Sequence, residues 1–317
     1  MQKSPKPIPR HVMDFLDWLD IEKGLSSKSQ ENYSRFLKRF IKWLEINHFE
    51  DLKPHELSPE HIWKYRVFLS RHYVSKNGQT LKKNTQNYYL IALRALLNYF
   101  ADRDIISLPA EKIKLARDKS EKQVRFLSFE QLERLFSIPD VSTLPGCRNR
   151  AILETFFSTG MRISELVFLD RERIKIRPGI KDLELSIVGK GGVVRTVYLS
   201  ERSLQWLSRY LDMRGDNEKA LFVNSRNRSD VSRRLTGRYI EKMIKKYALL
   251  AGLPITTTPH VMRHSFATDL LSQGVDLRTI QEFLGHRNIS ATQIYAHVTS
   301  KKLREVHRQF HSGRQKI

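Results

Sequence analysis

Residues 258–264 read Thr258-Pro259-His260-Val261-Met262-Arg263-His264. His260 and Arg263 stand three apart, so on a helix they share one face. His260 and His264 have the i,i+4 spacing that can bring two imidazoles to a metal, but no carboxylate or thiolate lies nearby in sequence to complete a ligand set. The simpler expectation for His264 is a hydrogen-bonded helix residue. Downstream come Leu284-Gly285-His286 and then Gln293-Ile294-Tyr295-Ala296-His297. Gly274 and Gly285 stand where helices should end, and Asp276 and Ser290 where new ones should be capped.

Upstream, Leu183 to Leu199 alternates in polarity and turns at Gly189-Lys190-Gly191-Gly192, a β-hairpin pattern. That turn is not a Walker loop, since no Gly lies five residues before Gly189 and no Ser or Thr follows Lys190. It also fails the dinucleotide pattern, because position 194 is Val. Before the hairpin stands Thr159-Gly160-Met161-Arg162-Ile163-Ser164-Glu165-Leu166, following a helix expected from Arg148 to Ser158. Ser128 to Gln131 fits a capping box ahead of a helix with Leu132, Leu135 and Phe136.

Residues 109–125 lose the long apolar periodicity and carry six basic residues against three acidic ones, which predicts a polar linker. The chain before it reads as four helices. Val12, Phe15, Leu16 and Leu19 keep helical spacing, as do Tyr33, Phe36, Leu37, Phe40, Ile41 and Leu44. Ser27 to Gln30 fits a capping box for the second of these. Ser58-Pro59 should open a third that buries Ile62, Tyr65, Phe68 and Leu69, and a fourth carries Tyr89, Leu93, Leu96, Leu97 and Phe100. These stripes are bundle core and carry no chemistry. The polar faces hold Lys38, Arg39 and Lys42.

Composition narrows the partners. The 317 residues, enough for about two domains, hold 56 Lys+Arg against 34 Asp+Glu, a net charge of +22. Such a chain is drawn to nucleic acid or to anionic surfaces. A single cysteine, Cys147, excludes an intrachain disulfide and a cysteine-based zinc site. No apolar run approaches the ~18–20 residues of a membrane span; the most apolar stretch, residues 88–101, is broken by Arg94 and Asn98. The first ten residues are basic with no hydrophobic region behind them, unlike a signal peptide. The expected location is the cytoplasm.

Taken together and in this order, Arg162, Lys190, His260, Arg263, His286 and Tyr295 resemble the catalytic signature of the tyrosine recombinases, the phage-integrase family, and most of all its compact Xer-type members. The resemblance spans nearly the whole chain. It implies a mainly α fold: a helical, SAM-like core-binding DNA-binding domain over residues 1–108, the basic linker 109–125, and a mostly helical catalytic domain with a small antiparallel β-sheet over residues 126–317. It further implies double-stranded DNA as substrate, cleaved through a 3′-phosphotyrosyl intermediate and a Holliday junction.

In that scheme Tyr295 is the nucleophile. Its phenol, with a pKa of about 10, must lose its proton as it attacks. His260 is the expected acceptor, with a water or substrate route left open. Arg162 and Arg263 would hold the non-bridging oxygens, as planar guanidiniums can. Lys190 would protonate the leaving 5′-oxygen, and His286 would donate a hydrogen bond to the phosphate. Glu165 either orients Arg162 or is a surface carboxylate. No cofactor or metal is required.

A homo- or hetero-tetramer on two duplexes is implied, with a second recombinase or a DNA translocase as further partners. Residues 301–317, basic and with Leu303, Val306 and Phe310 at helical spacing, are expected to pack on a neighbouring protomer or on their own domain. The absence of an obvious third domain ahead of His11 leans toward the Xer type, whose work is chromosome dimer resolution, over an integrase of a phage or mobile element. Two readings of other classes stay open at this point: a DNA-binding protein without catalysis, and a metal-dependent hydrolase using His260, His264 and His286.

Overall fold

A computed structural model describes residues 1–74, 78–116, 125–177, 179–189, 192–224, 233–285 and 292. It divides into two compact units, Met1–Glu121 and Lys122–Ile317.

In the first unit the apolar periodicities become four α-helices: α1 (Val12–Ile21), α2 (Ser27–Ile46), α3 (Pro59–Val67) and α4 (Lys83–Asp102). Their stripes converge on a core of Phe15, Leu37, Phe40, Trp43, Leu44, Tyr65, Leu93, Leu96 and Phe100, each at most 2% exposed. Aromatic rings dominate it; Phe40 meets Tyr65 edge-on with centroids 4.9 Å apart, and stacks on Trp43 at 5.7 Å. Ser58 caps α3, its Oγ accepting from the His61 N–H at 3.4 Å, with Pro59 at the first helical position. α3 continues into a π-helical turn over Phe68–His72, where Leu69 is buried and Phe68 only partly so.

Two expectations for this unit need correction. The capping box at Ser27 is absent: α2 already includes Ser27, Ser26 holds the N-cap position, and the Gln30 amide reaches back to Leu25 O and Asp20 Oδ1, both at 2.7 Å. The polar stretch beginning at 109 is not free of the bundle. Ala110 and Ile113 are buried in its core and Leu115 packs against it. Asn87 holds Ala116 through both its amide atoms, at 2.8 and 3.1 Å, and Arg66 donates to Lys114 O at 2.6 Å. Three apolar side chains among charged neighbours are too few to register as a periodic pattern. Each still gains from leaving water, by about 1.5–3 kcal/mol for a fully buried Ile. Residues 117–124 of the expected linker lie outside the described residues.

The second unit is built around α6 (Leu144–Thr159), preceded by α5 (Phe129–Ser137). The Ser128–Gln131 box at the head of α5 forms with bonds of 3.3 and 2.9 Å. α6 starts one turn before the expected Arg148, because Thr143 caps it and Pro145 fits its first turn. It is buried on nearly every face, and its buried polar groups find partners: Arg148 donates to Val223 O at 2.6 Å, and Glu154 accepts from Arg150 and Arg202 at 2.9 and 2.7 Å. The short helix α7 (Ile163–Val167) follows, then the antiparallel hairpin β1 (Asp182–Val188) and β2 (Val194–Ser200), in register from Asp182↔Ser200 to Val188↔Val194. Leu185, Ile187, Val197 and Leu199 point into the core, as strict alternation demands. α8 (Glu201–Asp212), α9 (Gly237–Leu250), α10 (Pro259–Ser272) and α11 (Leu277–Leu284) complete the unit. Asp276 caps α11 by accepting from Arg278 and Thr279 N–H at 2.8 and 3.0 Å, and Gly285 ends it at φ 61°. Ser290 lies outside the described residues. No helix among these is long and apolar enough to cross a membrane.

Candidate active site

Gly160 decides where the site begins. It terminates α6 at φ 56°, and a β-carbon there would lie 2.3 Å from a ring carbon of Phe266. The left-handed turn lets the chain reverse beneath α10, and two residues later Arg162 stands at the N-cap of α7. There Glu165 accepts from the Arg162 backbone N–H at 2.7 Å and from its Nη1 at 2.9 Å. One carboxylate thus fixes both ends of Arg162. The far end of α7 is held by Arg234, which donates to Val167 O and Leu169 O at 2.7 and 3.0 Å.

The Arg162 side chain then reaches the end of α11, where Nη2 donates to Gly285 O at 3.2 Å. Arg263, only 5% exposed on α10, reaches the neighbouring carbonyl, Leu284 O, at 2.5 Å, and Gly160 O at 2.7 Å. A third arginine, Arg195 of β2, donates its Nε to Phe283 O at 3.0 Å. The last carbonyls of a helix have no partners within it and carry partial negative charge. Here three consecutive ones each hold a guanidinium. Phe283 itself wedges between the rings of Tyr198 and Phe266, at 6.0 and 6.3 Å, which locks the helix end against the hairpin and α10.

Arg195 also grips Glu165 with both Nη groups, at 2.9 and 2.7 Å. Burial pushes the Glu165 carboxyl up, but the bonds from Arg195 and Arg162 outweigh it and hold the pKa below the usual carboxylate range. Two guanidiniums, those of Arg162 and Arg195, share this one carboxylate, and Arg263 beside them is held by carbonyls, so the cluster keeps net positive charge. Arg162 is its accessible member, with 27% of its side chain exposed against 7% for Arg195. Such an arrangement suits a tetrahedral dianionic or monoanionic oxygen cluster, a phosphate above all.

Of the expected set, the structure brings Arg162 and Arg263 to adjacent carbonyls at the end of α11. His260 is exposed on the first turn of α10, one turn before Arg263. His264 is half-buried beside them. Burial first, then His260 and Arg263, lower its pKa to about 4, so it is neutral at pH 7. Among the described residues no cluster of His, Cys, Asp and Glu could hold a metal ion. Lys190, His286 and Tyr295 lie outside the described residues, as do the C-terminal residues 301–317; Gly189 and Gly285 are the last described residues before Lys190 and His286.

Sequence reasoning left Glu165 undecided and missed Arg195. Glu165 is 8% exposed and central. No sequence signal marks Arg195, because its burial depends on Gly189 and Gly285 packing on it in the folded chain.

Comparisons with known proteins cover both units. The phage integrase family model matches residues 125–302, and the phage integrase N-terminal SAM-like domain matches residues 12–104. The chain is 30% identical to the tyrosine recombinase XerD of Vibrio vulnificus over 307 residues, 95% of each chain. It is 34% identical to the tyrosine recombinase XerC of Pelotomaculum thermopropionicum over 313 residues, covering 95% of this chain and 97% of that one. Among solved structures, the XerH site-specific recombinase bound to its difH substrate superposes with a TM-score of 0.71 at 21% identity, covering 96% and 97% of the two chains.

Proposed function

The chain belongs to the phage integrase family as a tyrosine recombinase of the Xer type, and from that premise we propose that its six signature residues cut and rejoin DNA strands at a specific site as follows. Tyr295 Oη attacks the scissile phosphorus while the bond from phosphorus to the 5′-oxygen breaks. The enzyme keeps the 3′-phosphate as a phosphotyrosyl ester and releases a 5′-hydroxyl. The phenolic proton passes to His260, and Lys190 supplies the proton that the leaving 5′-oxygen takes up. Arg162 and Arg263 hold the two non-bridging oxygens, and His286 donates a further hydrogen bond. Attack by an incoming 5′-hydroxyl reverses the step, so the ester conserves the bond energy and no nucleotide is consumed.

The observation that carries this reading is the convergence of Arg162 and Arg263 on adjacent carbonyls, Gly285 O and Leu284 O, immediately before His286 in the chain. Two guanidiniums from helices far apart in sequence are thereby aimed at one place, and preorganised donors are what a phosphoryl transition state uses most. Glu165 and Gly285 O hold Arg162, and Gly160 O and Leu284 O hold Arg263.

Two duplexes need four active sites, which supports a tetramer on double-stranded DNA, of one chain or two. The Xer-type relatives, aligned over 95% of this chain, favour chromosome dimer resolution over mobile-element integration; a cytoplasmic location and a second recombinase or a DNA translocase as partner belong to the same proposal.

The test is a nicked suicide duplex carrying a site selected by binding from a random library, incubated in EDTA. A covalent protein–DNA adduct that disappears in Tyr295→Phe is the expected result. A bound site that gives no adduct favours a binder without catalysis, and cleavage that EDTA abolishes, with no adduct, favours a metal-dependent hydrolase.

A further inference from the structure

Arg195 stands in β2 opposite Ile187, two residues beyond the hairpin turn. Its side chain is 7% exposed and each of its three nitrogens donates a bond inward, to Glu165 Oε1 and Oε2 and to Phe283 O. Two glycines press on it. A β-carbon at Gly285 would come within 2.7 Å of Arg195 Cδ, and one at Gly189 within 3.1 Å of Arg195 Nη1 and 3.4 Å of Glu165 Oε1. Gly189 is absent from the positive-φ glycines, so backbone conformation does not demand a glycine there. A β-carbon there would instead be crowded by Arg195 and, at 3.3 Å, by Val193 O. The same Gly189 closes the turn by donating its N–H to Val193 O at 2.7 Å.

One side chain therefore joins three segments that the proposed chemistry needs together. These are the base of the turn that carries Lys190, the Glu165 carboxylate that fixes Arg162, and the end of α11 that leads into His286. We propose that Arg195 is a positioning residue, which sets the base of the lysine-bearing turn against the Arg162–Glu165 pair so that proton donation and phosphate clamping act on the same phosphate. This rests on the roles assigned above to Lys190 and Arg162. A lysine at 195 would keep the charge but could not make a bidentate contact and a third bond at once.

The experiment separates proton donation from clamping. Single-turnover cleavage is measured on two suicide duplexes, one with oxygen and one with sulfur at the scissile 5′-bridging position. A thiolate, whose conjugate acid has a pKa of about 8.5, leaves without help from an acid. Wild type, Arg195→Lys, Gly189→Ala and Lys190→Ala are compared, with gel-shift binding reporting the folded, DNA-competent fraction. The ratio of the two rates does not depend on that fraction.

Arg195→Lys should slow the oxygen substrate about 100-fold, the scale of a misplaced catalytic group. The sulfur substrate should recover at least about tenfold of that loss, as it should for Lys190→Ala. Gly189→Ala, which crowds Arg195 without removing it, should show the same pattern to a smaller degree. Equal slowing of Arg195→Lys on both substrates, with Lys190→Ala recovered by sulfur, overturns the positioning role alone. Lys190→Ala slowed equally on both overturns the acid role of Lys190, and the proposal falls with it.

Discussion

Arg162 and Arg263 differ in how they are held, and the difference predicts how they fail. Arg162 is fixed by a carboxylate and keeps 27% of its side chain open, whereas Arg263 is buried against two carbonyls. Replacing Arg162 by lysine keeps the charge and loses the planar pair of donors. Strand cleavage should drop by about two to three decades while gel-shift affinity changes little; unchanged cleavage would remove Arg162 from the clamp. Arg263→Met should in addition lower stability, because Gly160 O and Leu284 O lose a buried donor, at about 1–3 kcal/mol. A denaturant titration checks this. His264 makes a pH prediction. Its folded pKa of about 4 lies below the unfolded value of 6.5. The unfolded chain therefore takes up the proton first, and the stability present above pH 6.5 is lost as pH falls toward 4. Thermal midpoints between pH 7 and pH 4 should fall less steeply for His264→Gln than for wild type; identical slopes would contradict the assignment. Glu165, held below the usual carboxylate range, acts in the same direction at lower pH.

At the scale of elements, the turns place the chemistry. α6 must stop at Gly160 for Arg162 to face the end of α11. Gly160→Ala meets two obstacles, φ 56° and a β-carbon 2.3 Å from the Phe266 ring. Gly252→Ala meets only one, φ 66° with nothing within 4 Å. The second substitution should cost about 1–2 kcal/mol, the left-handed strain alone. The first should cost clearly more, since Phe266 must shift in a packed core. Equal chemical-denaturation midpoints for the two variants would refute the packing account. The capping signals at Ser58, Ser128 and Asp276 were legible in the sequence, because a cap bonds within its own first turn. The box at Ser27 does not form because Gln30 bonds instead to Leu25 O in the preceding loop and to Asp20 of α1, a choice set by the approach of α1.

For the whole molecule, the net charge of +22 overstates the charge free to meet DNA. Arg148 and Arg214 are buried and bonded to backbone carbonyls, while Lys38 and Lys42 on α2 stand exposed. Log affinity for duplex DNA should fall with log salt at about −0.9 per phosphate neutralised. Lys38→Ala should make that slope shallower, and Arg148→Met should leave it unchanged. The reverse pattern in a salt titration would overturn this division. The sequence by itself determined the helical architecture, the hairpin and the family, because apolar periodicity, caps and the ordered residues from Arg162 to Tyr295 are local or positional patterns that need no coordinates to be read. It did not reveal that residues 110–116 fold back on the first unit, that Glu165 is buried, or that Arg195 joins the hairpin to α7 and α11. Those depend on which distant carbonyls and carboxylates reach a given guanidinium. Spacing along the chain carries no trace of such meetings, since Glu165, Arg195 and Phe283 come together only once helices and hairpin are packed.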